Sequence, residues 1–277
     1  MSKKIAVLGC GWLGFPLCKA FIKQGFEVNG TTTTASKVTE LKEAGIVPFC
    51  ISLDSEGVRG DIAAFLEGVS VLVINIPPQL RKANSRGTEQ VFVQKIQNLL
   101  PYIEHSGVSK VLFVSSTSVY ADSTMIITEQ TPPNPITESG QQLAIVEDLL
   151  QSNGAFETTI VRFGGLVGPK RHPVWSLSGQ QNIANPEAPI LLIHQKNAIE
   201  ILMQIVIKNV WNTLFNAVAP YHPSKKMFYQ SLAQKWHLPM PEFDDQSVSK
   251  LKYIANYRLS KVLHYHFDHH HLDDLEF

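Results

Sequence analysis

The chain has no excess charge of either sign, since Lys plus Arg and Asp plus Glu each total 24. That balance excludes a general field for nucleic acid or an anionic membrane, so any anionic ligand must be gripped locally. No apolar run approaches the roughly 18 residues that a membrane-spanning helix needs. Met1-Ser2-Lys3-Lys4 leads straight into an apolar run, leaving no room for a cleavable signal, and a cytoplasmic protein is expected. Cysteine is scarce: Cys10, Cys18 and Cys50 show no C-x-x-C spacing, which excludes a disulfide framework and fits a reducing compartment. Of 10 histidines, five fall late in the chain (His264, His266, His269, His270, His271) beside Asp268, Asp273 and Asp274. Such a tail lacks the scaffold that fixes catalytic ligands, so no functional metal is expected.

What remains is an ordinary globular composition, 44% hydrophobic and 17% charged over 277 residues. Apolar, β-branched runs (Ile5 to Leu8, Glu27 to Gly30, Val47 to Ser52, Val71 to Ile76, Val111 to Val114, Thr159 to Arg162) read as buried strands. Between them Leu13 to Lys23, Ser36 to Ala44, Ile62 to Leu66, Thr88 to His105 and Gln141 to Gln151 carry helical spacing. This alternation predicts an α/β fold, a doubly wound parallel sheet of the Rossmann kind with a small C-terminal substrate lobe. Residues 1–168, completed by 190–220, are expected to form the dinucleotide-binding domain. Proline-punctuated 169–189 and 221–277 are assigned to the lobe.

Gly9-Cys10-Gly11-Trp12-Leu13-Gly14 sits directly behind the first strand and opens the first helix. In that context Gly9 allows the tight turn, Gly11 lets backbone approach a diphosphate, and Gly14 lets helix pack on strand. The helix start, including Trp12 and Leu13, then offers N–H groups to the anion. Pro16, just inside the helix, removes one backbone donor, which a first turn tolerates, with a local kink as the alternative. An NAD-selective unit carries an acid at the end of the second strand, where this chain has Thr31-Thr32-Thr33-Thr34 and then Lys37. Hydroxyls with an ammonium suit a 2′-phosphate, which favours NADP as cofactor with NAD possible. Asp54, after the third strand, is a candidate contact for the adenine; Ile76, Pro77 and Ser115 are further cofactor candidates at strand ends.

The segment Val111-Leu-Phe-Val-Ser-Ser-Thr-Ser-Val-Tyr120, followed by Glu129, Pro132, Pro135 and Arg162-Phe-Gly-Gly-Leu-Val-Gly-Pro169, resembles the extended short-chain dehydrogenases/reductases, the NAD-dependent epimerase/dehydratase family. The likeness spans about residues 4 to 220. It implies a small polar or sugar-like substrate and makes Ser116 the residue that orients a substrate hydroxyl. The family's Tyr-x-x-x-Lys pair should follow, but the chain reads Ser139-Gly-Gln-Gln-Leu143. A phenol near pKa 10 needs a cation to work at neutral pH, and losing a positioned acid/base removes on the order of 10²- to 10⁴-fold in rate. The chain is therefore similar to an atypical branch of that family. Tyr120 and His172 become the alternative proton donors, with Arg171 a holder of an anionic substrate. Two functions follow: an NAD(P)-dependent oxidoreductase or epimerase/dehydratase-like enzyme with a non-standard acid/base, or a catalytically inactive NADP-binding sensor or regulatory protein.

Overall fold

A computed structural model describes residues 4–78, 90–123, 125–249 and 251–267. Strands β1 (Lys4–Leu8), β2 (Glu27–Thr32) and β3 (Val47–Cys50) alternate with helices α1 (Gly14–Lys23) and α2 (Val38–Glu43). A short hairpin, β4 (Ser52–Leu53) with β5 (Val58–Arg59), leads to α3 (Ile62–Leu66), β6 (Val71–Ile74), α4 (Val91–Glu104) and β7 (Lys110–Ser116). After β8 (Ile126–Ile127) come α5 (Glu138–Gln151), β9 (Glu157–Phe163), β10 (Gly165–Val167), α6 (Val174–Leu177) and β11 (Leu192–His194). The chain continues through α7 (Gln195–Ile207), β12 (Leu214–Ala217), α8 (Lys225–Lys235), β13 (Tyr253–Ile254) and α9 (Tyr257–Lys261).

Seven strands form one sheet in the order β12-β9-β7-β6-β1-β2-β3, and every pairing in it is parallel. Successive residues of a strand point to opposite faces, so each buried strand must feed two cores. Ala6 and Leu8 of β1 join Leu72, Phe92, Ile96 and Phe113 on one face; Ile5 and Val7 join Leu17, Phe21, Ile201 and Phe215 on the other. Each such fully buried large side chain contributes about 1.5–3 kcal/mol. The order in which strands are added reverses between β1 and β6, and the crevice at their carboxyl ends is where ligands of such sheets bind.

The structure redraws several expected boundaries. The third strand stops at Cys50, and from Ser52 the chain pairs antiparallel with Arg59 in the β4–β5 hairpin, whose turn Asp54 Oδ1 closes by accepting from the N–H groups of Glu56 and Gly57. Pro16 lies in the first turn of α1, between the i−4 bonds that Phe15 and Leu17 N–H make to the Gly11 and Leu13 carbonyls, and is accommodated there. The beginning of the expected 88–105 helix lies outside the described residues, and the described part is Val91–Glu104. The described part of 221–277, all assigned to the small lobe, divides between two packing partners. Among its described residues, α8 packs Phe228, Tyr229 and Leu232 on Val167, Val174 and Leu192, and the segment through Ser249 stays with that lobe, Asn185 and Glu187 N–H donating to Ser247 Oγ and Ser249 Oγ. Beyond residue 250, β13 pairs with β8, and Leu259, Leu263 and Tyr265 enter the main core beside α7. The Tyr265 hydroxyl there accepts from Asn197 at 2.8 Å and donates to Glu200 at 3.0 Å.

Candidate functional site

A cleft of about 710 Å³ opens at the carboxyl ends of the strands. The glycine turn forms one wall, and its shape follows from contacts that leave no space for side chains. Gly9 has φ +106°, and a Cβ there would lie 2.5 Å from the Asn75 carbonyl oxygen. A Cβ on Gly14 would lie 2.1 Å from the Gly9 oxygen, so Gly14 lets α1 meet the turn from beneath the cleft. Around Gly11 nothing stands within 4 Å of a Cβ position, which would project into open space. The turn is pinned from both sides: Gly9 N–H donates to Thr31 Oγ1 at 2.8 Å, Cys10 N–H to the Thr31 carbonyl at 2.9 Å, and Asn75 Nδ2 to the Gly9 carbonyl at 3.0 Å. No side chain caps the start of α1. A backbone turn of this shape at a helix N-terminus has the chemistry to accept an anion, through free N–H groups and the helix dipole.

The cleft brings together Gly9, Gly11, Trp12, Leu13, Thr31, Thr32, Lys37, Ile76, Pro77, Ser115 and Ser116. Thr31 is buried and its hydroxyl holds the turn, while Thr32 Oγ1 accepts from Thr34 N–H at 3.1 Å. These two threonines shape the loop; Thr33, Thr34 and Lys37 are its exposed polar groups. The far end is lined by Ser116, Leu143, Phe163 and Gly164. Ser116 Oγ accepts from Ser118 N–H at 3.1 Å and caps a 3-10 turn, which leaves its own O–H to donate. Leu143, on α5, forms wall and core together at 4% exposure, while Ser139 is one turn earlier and outside the lining.

Three expected site residues are placed elsewhere. Asp54 is not a cleft residue: its carboxylate closes the β4–β5 turn and pairs with Arg59 at 3.1 Å. Tyr120 is 2% exposed; its hydroxyl donates to Asn216 Oδ1 at 2.9 Å and accepts from the Arg162 guanidinium, whose charge also lies over the ring. Burial pushes this phenol up, and the Arg162 charge only partly opposes it, so Tyr120 stays protonated and serves the core. Arg162 in turn makes a buried ion pair with Glu147, which accepts from Ser115 Oγ in the cleft floor. His172 lies in the small lobe, with Phe228, Tyr229 and Trp236 rings 5.3–6.3 Å away, and burial pushes its imidazole down to about 4. Its Nδ1 accepts from Val174 N–H at 3.1 Å, so it is a neutral core residue, not a proton donor at neutral pH.

Sequence reasoning missed Asn75, whose side chain clamps the glycine turn; its signal was a polar residue directly after a buried strand. Gly30 was read only as a strand end, yet a Cβ there would lie 2.6 Å from Cys10 Sγ and Ile46 Cγ2. Lys95 of α4 also lines the cleft, 58 positions along the sequence from the Lys37 it accompanies, a pairing no local pattern announces. Among the described residues there is no group of three side chains able to hold a metal, and no helix is long and apolar enough to cross a membrane.

The pattern defining the NAD dependent epimerase/dehydratase family matches residues 5–176. Protein YeeZ of Escherichia coli K12 is 30% identical over 270 residues, 96% of each chain. Among solved structures, UDP-glucose 4-epimerase of Thermotoga maritima, with UDP-glucose, superposes with a TM-score of 0.81 at 14% identity, covering 98% of this chain and 97% of that one. UDP-glucuronic acid 4-epimerase of Bacillus cereus, in complex with UDP-glucuronic acid and NAD, gives 0.79 at 18% with the same coverages. The strand order, the glycine cradle at the switch point and these likenesses agree, and the chain belongs to the NAD-dependent epimerase/dehydratase family.

Proposed function

We propose that this chain binds a nicotinamide dinucleotide, NADP in preference to NAD, and acts on a small polar or sugar-like substrate as an oxidoreductase or epimerase/dehydratase-like enzyme with a non-standard acid/base. The observation that carries the reading is the charge of the cleft. Its described lining includes Lys37, Lys95 and Arg171 and no carboxylate, in a chain with no net charge. A site of that sign, next to a glycine cradle, fits a ligand with a diphosphate and a further phosphate. Lys37 and the hydroxyls of Thr33 and Thr34 would receive the 2′-phosphate at the end of β2, where an acid would otherwise select an unphosphorylated ribose. Backbone from Gly9 to Leu13 would receive the diphosphate, with Ile76 and Pro77 flanking it. When bound, the nicotinamide supplies hydride exchange with a substrate carbon. Ser116, at the cleft end of β7, would donate its hydroxyl proton in a hydrogen bond to a substrate oxygen. Ser115 would keep the floor of the site rigid through Glu147 and Arg162. Solved relatives that carry UDP-sugars beside NAD support a sugar-like substrate.

A binding-only role, as a sensor of the dinucleotide, is the second reading. It is favoured by Leu143, an apolar wall residue at the position the sequence reading gives to the family's lysine, and by the commitment of the Tyr120 hydroxyl to the core. Calorimetric titration with NADPH and NADH, followed by NADPH oxidation against a panel of carbonyl compounds, separates these readings. Tighter NADPH binding with turnover lost in Ser116→Ala supports the enzyme. Absence of saturable binding for both dinucleotides overturns the proposal, and binding without turnover on any carbonyl favours the sensor.

A further inference from the structure

Trp12 belongs to the glycine turn, yet three contacts hold it from the opposite side of the cleft. Its indole Nε1 donates to the Pro169 carbonyl at 2.8 Å, its own carbonyl accepts from Gln195 Nε2 at 2.6 Å, and the Arg171 guanidinium carbon lies 4.9 Å above the ring centroid. The hairpin that delivers Arg171 is closed by two backbone bonds between Gly168 and Arg171, at 3.0 and 2.9 Å. It is shaped closely to the indole: Gly168 has φ +150°, and a Cβ on it would lie 3.2 Å from Trp12 Cζ2. Arg171 itself is exposed and lines the cleft. Stacking engages the flat face of a guanidinium, whereas its N–H edge is the part that forks onto phosphate oxygens. An anion seated on the start of α1 would therefore lie beside a pre-oriented arginine supplied by a different part of the chain.

We infer that Arg171 is a diphosphate-gripping residue and that Trp12 is the platform that orients it. The inference rests on the dinucleotide reading above and refines it. Placement argues for the diphosphate over the 2′-phosphate, because Trp12 directly follows Gly11, whereas Lys37 and the threonines stand beyond β2. It makes small-lobe backbone part of the cofactor site, so dinucleotide binding stabilises the packing of hairpin on turn.

The test uses three ligands that divide the dinucleotide: NADPH, ADP-ribose with the diphosphate but no 2′-phosphate, and adenosine 2′-phosphate with no diphosphate. In Arg171→Ala, Kd for NADPH and for ADP-ribose is expected to rise roughly 10- to 100-fold, the loss of a charge-assisted hydrogen-bond pair. Affinity for adenosine 2′-phosphate should stay at the wild-type value. Arg171→Lys should fall between, since it keeps the charge without the fork. Trp12→Ala should weaken ADP-ribose binding and Trp12→Phe should recover most of it, because the ring face remains. Thermal melting checks that each variant is folded. Wild-type affinity of Arg171→Ala for ADP-ribose, or an equal loss for adenosine 2′-phosphate, overturns the assignment while leaving dinucleotide binding intact. A wild-type protein that binds neither NADPH nor ADP-ribose overturns the dinucleotide reading, and this assignment with it.

Discussion

Adding one methyl group at Gly11 and one at Gly14 should have opposite consequences, although both glycines belong to one six-residue turn. At Gly11 the added Cβ meets no atom within 4 Å, and the backbone is outside the left-handed region. Gly11→Ala should change stability by less than about 1 kcal/mol, on the stabilising side, because it narrows the freedom of the unfolded chain. The same methyl stands where a diphosphate must approach the start of α1. Displacing the anion removes one or two charge-assisted hydrogen bonds of about 1.5–3 kcal/mol each, which corresponds to a Kd raised by about 10-fold or more. At Gly14 the Cβ would lie 2.1 Å from the Gly9 carbonyl oxygen, so α1 must move off the glycine turn. Overpacking of that severity costs about 3 kcal/mol or more, a fall in Tm of roughly 6–12 °C. Thermal melting and calorimetric titration with NADPH check both variants. Wild-type affinity in Gly11→Ala, or destabilisation of Gly11→Ala equal to that of Gly14→Ala, would refute this account of the cradle.

Lys37→Ala should weaken NADPH roughly 2- to 5-fold, the modest effect of an exposed ion pair, and leave NADH unchanged; equal losses for both cofactors would remove Lys37 from the 2′-phosphate site. Tyr120→Phe deprives Asn216 and Arg162 of a buried partner and should cost about 1–3 kcal/mol in urea denaturation. Turnover in that variant should keep its pH profile, whereas a displaced pH profile would return Tyr120 to the chemistry. His172 has its folded-state pKa pushed below its unfolded value, from 6.5 to about 4, so the unfolded chain takes up its proton first. Its contribution is complete above pH 6.5 and is lost as pH falls toward 4, by up to about 3 kcal/mol. Denaturation of His172→Leu across that window should show a shallower decline than wild type; identical slopes would place the titration on another group.

The residues of β1, the glycine turn and α1 announced themselves in sequence because each step of that unit is local. An apolar run, a turn that only glycine fits and a helix start occupy adjacent positions, and their physics requires no distant partner. The alternation of buried runs likewise determined the parallel sheet, since strands covered on both faces must be apolar throughout. Tertiary structure alone decided which polar groups face the cleft. Tyr120 and Ser116 are four residues apart, yet the 3-10 turn at Thr117–Val119 separates them, leaving the serine at the cavity and the phenol against Arg162 and Asn216. His172 and Arg171 are adjacent, yet the hairpin turns one into an aromatic core and the other onto Trp12. Side chains at such neighbouring positions diverge by backbone geometry that no composition reports. The return of Leu259, Leu263 and Tyr265 to the main core depends on an apolar surface built by α1 and α7, far earlier in the chain. Local pattern sets what a segment can become, and burial against distant residues sets which of its groups meet the ligand.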